Sequence, residues 1–120
     1  MDYKDSTAKY FFQGKAYFCS LDLALDIIGG KWRMMVIYNL RNGALRSGEL
    51  KTFLPKISNK MFAQIMHELE DAGIARRTVY PVVPPKVEYS LTPMGESILP
   101  IINSILQWGM AVGTGQIAAG

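Results

Sequence analysis

Hydrophobic and polar positions along the chain fall into segments whose period changes once. From Ser20 to Ile28, apolar Leu21, Leu25 and Ile28 recur at helical spacing, with Ser20 placed to cap and Asp22 suited to the first turn. Gly29-Gly30 ends that helix, and Lys31 to Arg41 forms a second one carrying Trp32, Met35, Val36, Tyr38 and Leu40, broken by Asn42-Gly43. Ser47 to Leu54 reads as a short third helix, capped by Ser47, with Leu50, Phe53 and Leu54 as its buried stripe and Pro55 as its stop. Ser58 opens a fourth that runs to about Ala72, stopped by Gly73. Its stripe is Phe62, Ile65, Met66 and Leu69, and its other face holds Lys60, Ala63, Gln64, His67 and Asp71, with Asn59 near the entry.

After Gly73 the period drops to two. Ile74 to Tyr80 is rich in β-formers, and Lys86 to Leu91 alternates Val87, Tyr89 and Leu91 against Lys86, Glu88 and Ser90. The Pro81-Val82-Val83-Pro84-Pro85 run between them lacks three ladder donors, which predicts a stiff hairpin tip. Thr92-Pro93 then opens a last helix bearing Ile98, Ile101, Ile102, Ile105, Leu106 and Trp108, weakened by Gly109, Gly113 and Gly115. A capped short helix, a turn around Pro55-Lys56-Ile57, a capped longer helix and a hairpin make a helix-turn-helix followed by a wing.

Composition and charge narrow the function. In 120 residues, 49% hydrophobic, there is core material for one domain, and no apolar run is long enough to span a bilayer. No leader of the secretory type is evident, and a lone cysteine then reads as cytoplasmic. One cysteine, Cys19, and one histidine, His67, leave no metal-ligand cluster. No nucleophile–base set and no phosphate-binding glycine loop exist either, so an enzyme is excluded and no cofactor is expected. The net +3 is unevenly placed: residues 31–90 hold ten Lys and Arg against five Asp and Glu, a local +5 between nearly neutral flanks. That is what a polyanion-binding surface requires. On the fourth helix, Gln64 can bond adenine bidentately and Lys60 can reach guanine or phosphate, with His67 on the same face. Arg46, Lys51, Lys56, Arg76, Arg77 and Lys86 surround it as phosphate neutralisers. Six of the thirteen aromatics lie in the first 18 residues, which predicts that part of this arm packs on its own chain or on a second one.

The residues also carry a family resemblance. Cys19-Ser20-Leu21, Ile27-Ile28-Gly29-Gly30-Lys31-Trp32, Arg46-Ser47-Gly48-Glu49-Leu50, Ile57-Ser58-Asn59-Lys60-Met61 and His67-Glu68-Leu69-Glu70-Asp71-Ala72-Gly73-Ile74 resemble the HxlR-type family of bacterial winged-helix regulators. So do Tyr80-Pro81-Val82-Val83-Pro84-Pro85-Lys86-Val87-Glu88-Tyr89-Ser90-Leu91-Thr92 and the closing Trp108-Gly109, giving coverage of residues 19–109. The chain departs from that pattern at Ser20, where proline is common, and at the compressed Ser47-Gly48. It departs again at Ile65 and His67, where glutamine and arginine are common.

The resemblance implies a homodimeric transcriptional regulator of double-stranded DNA, acting on a pseudo-palindromic operator. The expected fold is α+β, mostly helical: a winged helix-turn-helix with N-terminal and C-terminal dimerisation elements. Residues 1–18 would be a partly ordered aromatic arm touching the dimer partner, 19–109 the winged domain with its C-terminal dimer helix, and 110–120 a tail. The resemblance assigns DNA contact to Arg46, Ser58, Asn59, Lys60, Gln64 and Lys86, beside Lys56, His67 and Arg77 from the charge pattern. It assigns the dimer interface to the two flanks, where Tyr17, Phe18, Ile98, Ile101, Ile102, Ile105 and Trp108 supply the apolar surface. Cys19 is a redox-sensing candidate in such proteins, since a thiolate at a helix N-terminus is stabilised; it equally suits a small buried residue near the dimer contact. Two other readings remain: a winged module that binds proteins instead of DNA, and a regulator gated by a small molecule in an apolar pocket lined by Trp32, Met34, Met35 and the aromatic arm.

Overall fold

The computed structural model describes residues 9–118 and 120. The first part of the aromatic arm, with Tyr3, lies outside the described residues.

The helix-turn-helix is α3 (Ser47–Thr52) and α4 (Asn59–Asp71). At the start of α4 the Ser58 hydroxyl oxygen accepts from the Met61 N–H at 3.0 Å. Its end is a Schellman turn: Gly73, at φ +75°, donates to the Glu70 carbonyl at 2.9 Å, and Ile74 donates to the Leu69 carbonyl at 2.9 Å. The predicted stripe of Phe62, Ile65, Met66 and Leu69 is buried, joined by Val36, Ile37, Leu40, Leu50, Leu54, Ile74, Tyr89, Ile98 and Ile102 in one core. In α3, Ser47 is the first helical residue and not the cap; the Glu49 carboxylate instead accepts from the Arg46 N–H at 2.9 Å. Phe53 follows the helix and is exposed, because the turn toward Pro55 rotates it away from Leu50 and Leu54.

Flanking this unit are α1 (Ser20–Ile28), α2 (Lys31–Asn39), α5 (Pro93–Glu96) and α6 (Leu99–Gly113). Cys19, not Ser20, caps α1: its Sγ accepts from the Asp22 N–H at 3.4 Å. The single C-terminal helix expected from Thr92 is two helices. Pro100 has no N–H and its ring would strike the carbonyl four residues back, so the chain breaks after Glu96 and restarts with Pro100 in its first turn. The second of them continues through Gly109 to Gly113.

A three-stranded antiparallel sheet runs in the order β3 (Leu45–Arg46), β5 (Lys86–Leu91), β4 (Ala75–Tyr80). Its register pairs Leu45 and Arg77 with Tyr89, and Arg46 and Thr78 with Glu88. The described part of the arm is a second hairpin, β1 (Tyr10–Phe12) and β2 (Lys15–Tyr17), turning at Gln13-Gly14 with φ +48° and +79°. Two successive left-handed residues match the twist of the flanking strands.

Three residues expected at a dimer interface are buried within the chain itself. Tyr17 is 3% exposed, and Ile98 and Ile102 lie in the main core, since they face inward on the chain's last helical segment.

Gly95 packs against the backbone of Ile74, the residue between α4 and β4. A Cβ there would lie 2.3 Å from the Ile74 carbonyl oxygen, whereas Gly48 has open space. Gly95→Ala should therefore lower Tm and shift the urea midpoint down, while Gly48→Ala should stabilise by about 0.5–1 kcal/mol through helix propensity. A Gly95→Ala protein as stable as the parent would contradict this packing.

Candidate nucleic-acid interface

With its stripe buried, α4 turns Asn59, Lys60, Ala63, Gln64 and His67 to the outside. Lys60 and Gln64 are one turn apart, and no hydrogen bond or ion pair among the described residues engages either side chain. Their neighbours are more occupied. The Asn59 Oδ1 accepts from Lys51 Nζ at 3.0 Å, and that ammonium also lies 4.9 Å from the Phe62 ring centroid. The Ser58 oxygen caps the helix, leaving its O–H proton free to donate outward. His67 Nε2 is 3.1 Å from Asp71 Oδ2, so the far end of the face carries a carboxylate beside its histidine. Lys56 stands in the turn between the two helices, exposed, at φ +65°.

The sheet sorts the remaining cations. Strand alternation puts Arg46, Arg76 and Lys86 on one face with Glu88, and Arg77 on the other with Tyr89. Arg77 and Lys86 are thus not neighbours, although both were expected at the wing. Lys86 is 3.5 Å from the Glu88 carboxylate and 4.9 Å from the Tyr80 ring centroid. The Tyr80 hydroxyl donates to Glu88, which holds its pKa above the ordinary phenol range. On the opposite face, Tyr89 meets Phe62 edge-on at 6.3 Å, seating the wing on α4.

Sequence reasoning missed a polar clasp that holds α4 from its other end. One Arg33 amino group donates to the Asp26 carbonyl at 2.7 Å and the Ile27 carbonyl at 3.3 Å; the other donates to Glu68 Oε2 at 3.0 Å. This ties the C-terminus of α1 to α4 through α2. Asp26 also accepts from the Tyr17 hydroxyl at 2.5 Å and Lys15 Nζ at 3.3 Å, and Gln13 donates to the Asp71 carbonyl. These residues surround a 290 Å³ cavity. Two short aromatic runs around Gln13-Gly14 signal the hairpin. Nothing local signals the pairing of Arg33 with Glu68.

Apolar surface is gathered elsewhere. Ile101, Ile105 and Trp108 occupy one outward face of α6, and Trp108 is 62% exposed. Beside them a 490 Å³ groove between α2 and α6 is lined by Met34, Met35, Tyr38, Ile102, Ile105 and Leu106, among others. Trp32 and the arm aromatics do not line it, so only the methionines of the expected effector pocket are there. Phe18 is exposed beside Cys19, which is 4% exposed.

Known proteins resemble this chain closely. The family described as HxlR-like helix-turn-helix matches residues 27–116. An uncharacterised HTH-type transcriptional regulator of Methanothermobacter thermautotrophicus is 42% identical over 87% of this chain and 79% of its own. The uncharacterised HTH-type transcriptional regulator YkvN of Bacillus subtilis is 46% identical over 79% of this chain and 80% of its own. Among solved structures, the redox regulator HypR in its oxidized form superposes with a TM-score of 0.76 at 40% identity, covering 78% of this chain and 97% of that one.

The clasp has a titration signature. The Tyr17 phenol is pushed from 10.0 up to about 12, chiefly by its hydrogen bond to Asp26, then by burial and by the negative charges of Asp26 and Asp22. A raised folded-state pKa means that this contribution to stability is intact below pH 10 and is lost between about 10 and 12. Ultraviolet difference titration against Tyr17→Phe should show this phenol ionising well above the ordinary range, and Asp26→Asn should bring it back toward that range. Unchanged ionisation in Asp26→Asn would remove Asp26 as the cause.

Proposed function

The chain belongs to the HxlR-like helix-turn-helix family of transcriptional regulators, and from that premise we propose that it works as a homodimer on a pseudo-palindromic DNA site. It is a regulator with a helix-turn-helix DNA-binding fold and not an enzyme. The observation that carries the finer reading is the pair Lys60 and Gln64, one turn apart on a helix whose other face is locked in the core, with neither side chain engaged. Such a pair has the donors and acceptor needed to read guanine and adenine edges. Lys51, Lys56, Arg46 and Lys86 lie around it as phosphate partners. The outward face of Ile101, Ile105 and Trp108 supports dimerisation through the C-terminal helix, with Phe18 as a second contact. Dimer symmetry then sets half-site centres about one helical turn apart, or a multiple of it.

A redox signal is a second part of this reading. HypR is a redox regulator with an oxidized form, and Cys19 is this chain's one thiol. It sits at the N-terminus of α1, where its Sγ accepts from the Asp22 N–H, and it is buried. Its burial means that the junction between hairpin and helix must open before the sulfur reacts. Two Cys19 thiols from two protomers would then give up two protons and two electrons to an oxidant and form one disulfide.

Selection of bound duplexes from a random pool tests the main claim and returns the half-site spacing. Affinity for the selected site should fall steeply with salt, because phosphate neutralisation releases counterions. Lys60→Ala with Gln64→Ala should weaken binding by about 2–6 kcal/mol if both bonds read bases. Binding as tight as the parent's would refute the assigned face, and no binding to any duplex would favour the protein-interaction module. For the thiol, diamide should change DNA affinity in the parent and leave Cys19→Ser untouched. An equal response in both would discard Cys19 as the sensor.

A further inference from the structure

The wing tip does not have the chemistry expected of a phosphate-binding loop. All five residues, Pro81 to Pro85, are exposed, and Val83 is 100% exposed. Three are prolines without an N–H. Of the two remaining amides, that of Val82 already donates to the Tyr80 carbonyl at 2.9 Å. No side chain in the tip carries a charge or a donor. One backbone amide, that of Val83, is all it can offer a phosphate.

Such a tip has another use. The pyrrolidine rings fix φ at three of its five residues, so this apolar prow is stiff before it meets anything. One cation stands at its base: Lys86 begins the strand that leaves the tip, lying over the Tyr80 ring and 3.5 Å from Glu88, while Arg76 shares that sheet face at the far end of the hairpin beside Ser90. The sheet itself is seated on α4 by Tyr89 against Phe62. An apolar projection with a lysine at its base, on the element next to the proposed major-groove reader, matches how proteins open the minor groove. Small apolar side chains enter between base steps, unstack them and bend the duplex, while the cations hold the backbone.

We propose that Val82 and Val83 form an apolar wedge that enters the minor groove beside each half-site, partly unstacks one base step there and bends the DNA. The energy of that deformation depends on sequence, so the wedge selects flexible pyrimidine–purine steps, TA or CA/TG, at a position where no side chain reads a base edge. The proposal rests on the DNA-binding reading above and adds a specificity element to it. The competing occupant of an exposed Pro-Val-Val-Pro-Pro tip is a groove on another protein.

The test uses the full-length protein and the duplex selected by the parent. Val82→Ser with Val83→Ser removes the apolar surface without changing charge, and both side chains are exposed, so folding should be untouched; circular dichroism checks this. Bend angle is read by end-to-end energy transfer, and affinity is measured over a salt series on duplexes carrying TA, CA or GC at the wing step. The expected result is a smaller bend, about tenfold weaker binding to the TA duplex, loss of the preference for TA over GC, and an unchanged salt slope. An unchanged bend and step preference would overturn the wedge, while loss of binding in the Lys60 and Gln64 variant would leave the parent reading standing. Weaker binding with the bend and preference intact would also overturn it, assigning the valines to some other contact. A parent protein that binds no duplex would overturn both readings together.

Discussion

Burial of one face of α4 is the constraint on which the rest of the molecule depends. Phe62, Ile65, Met66 and Leu69 lock the rotation of that helix about its axis, and rotation decides which residues point outward. Because the stripe repeats every three or four residues, its complement repeats too, placing Lys60, Ala63, Gln64 and His67 in one exposed row. The Schellman turn at Gly73 then fixes where the next strand departs, and the Ile74 amide that closes the turn belongs to the first fully buried residue after the helix. The exposed row of α4, the turn and the wing are consequences of one packed surface.

The elements around this surface divide into apolar and polar attachments. On one side, Ile98 and Ile102 press the C-terminal helix into the core, which leaves Ile101, Ile105 and Trp108 facing out. On the other, α1 adds only the partly buried Ile27 and Ile28 to the core, no residue of it is fully buried, and Arg33 ties its carbonyls to Glu68 of α4. Partly exposed ion pairs each contribute little, of the order of 0–1 kcal/mol, so strength here comes from several bonds sharing Arg33 and Asp26. The two sides therefore differ in degree: α6 puts Ile102 fully into the core, whereas α1 buries less apolar surface and depends more on its solvated clasp.

Legibility in the sequence followed the range of the forces involved. The four core helices, both wing strands and the Ser58 and Gly73 signals were readable because period and capping chemistry act over a few residues. Where a nearby competitor acted, the reading failed. Cys19 displaced Ser20 as cap because a thiol one residue earlier was in position to accept, and Pro100 split a helix whose apolar period ran straight through it. The exposed row of α4 was readable, since it is the complement of a local stripe. The clasp was not, since Arg33 and Glu68 are 35 residues apart and each looks like an ordinary surface charge. Tyr17, Ile98 and Ile102 show the limit of apolar pattern alone: it marks a residue for burial without saying in which molecule.

The clasp also has a mechanical consequence for the thiol. Cys19 caps the helix whose other end is held by Arg33, and α1 is only nine residues long. A helix that short moves as one body, so freeing the sulfur at its N-terminus displaces the Asp26 and Ile27 carbonyls at its C-terminus. Those carbonyls share the Arg33 guanidinium with Glu68 on the reading helix. Arg33 must then either follow α1 and release Glu68, or stay with Glu68 and leave the carbonyls of α1 without their donor. Either way α4 is linked to the N-terminus of α1 across a path of two helices and a single side chain.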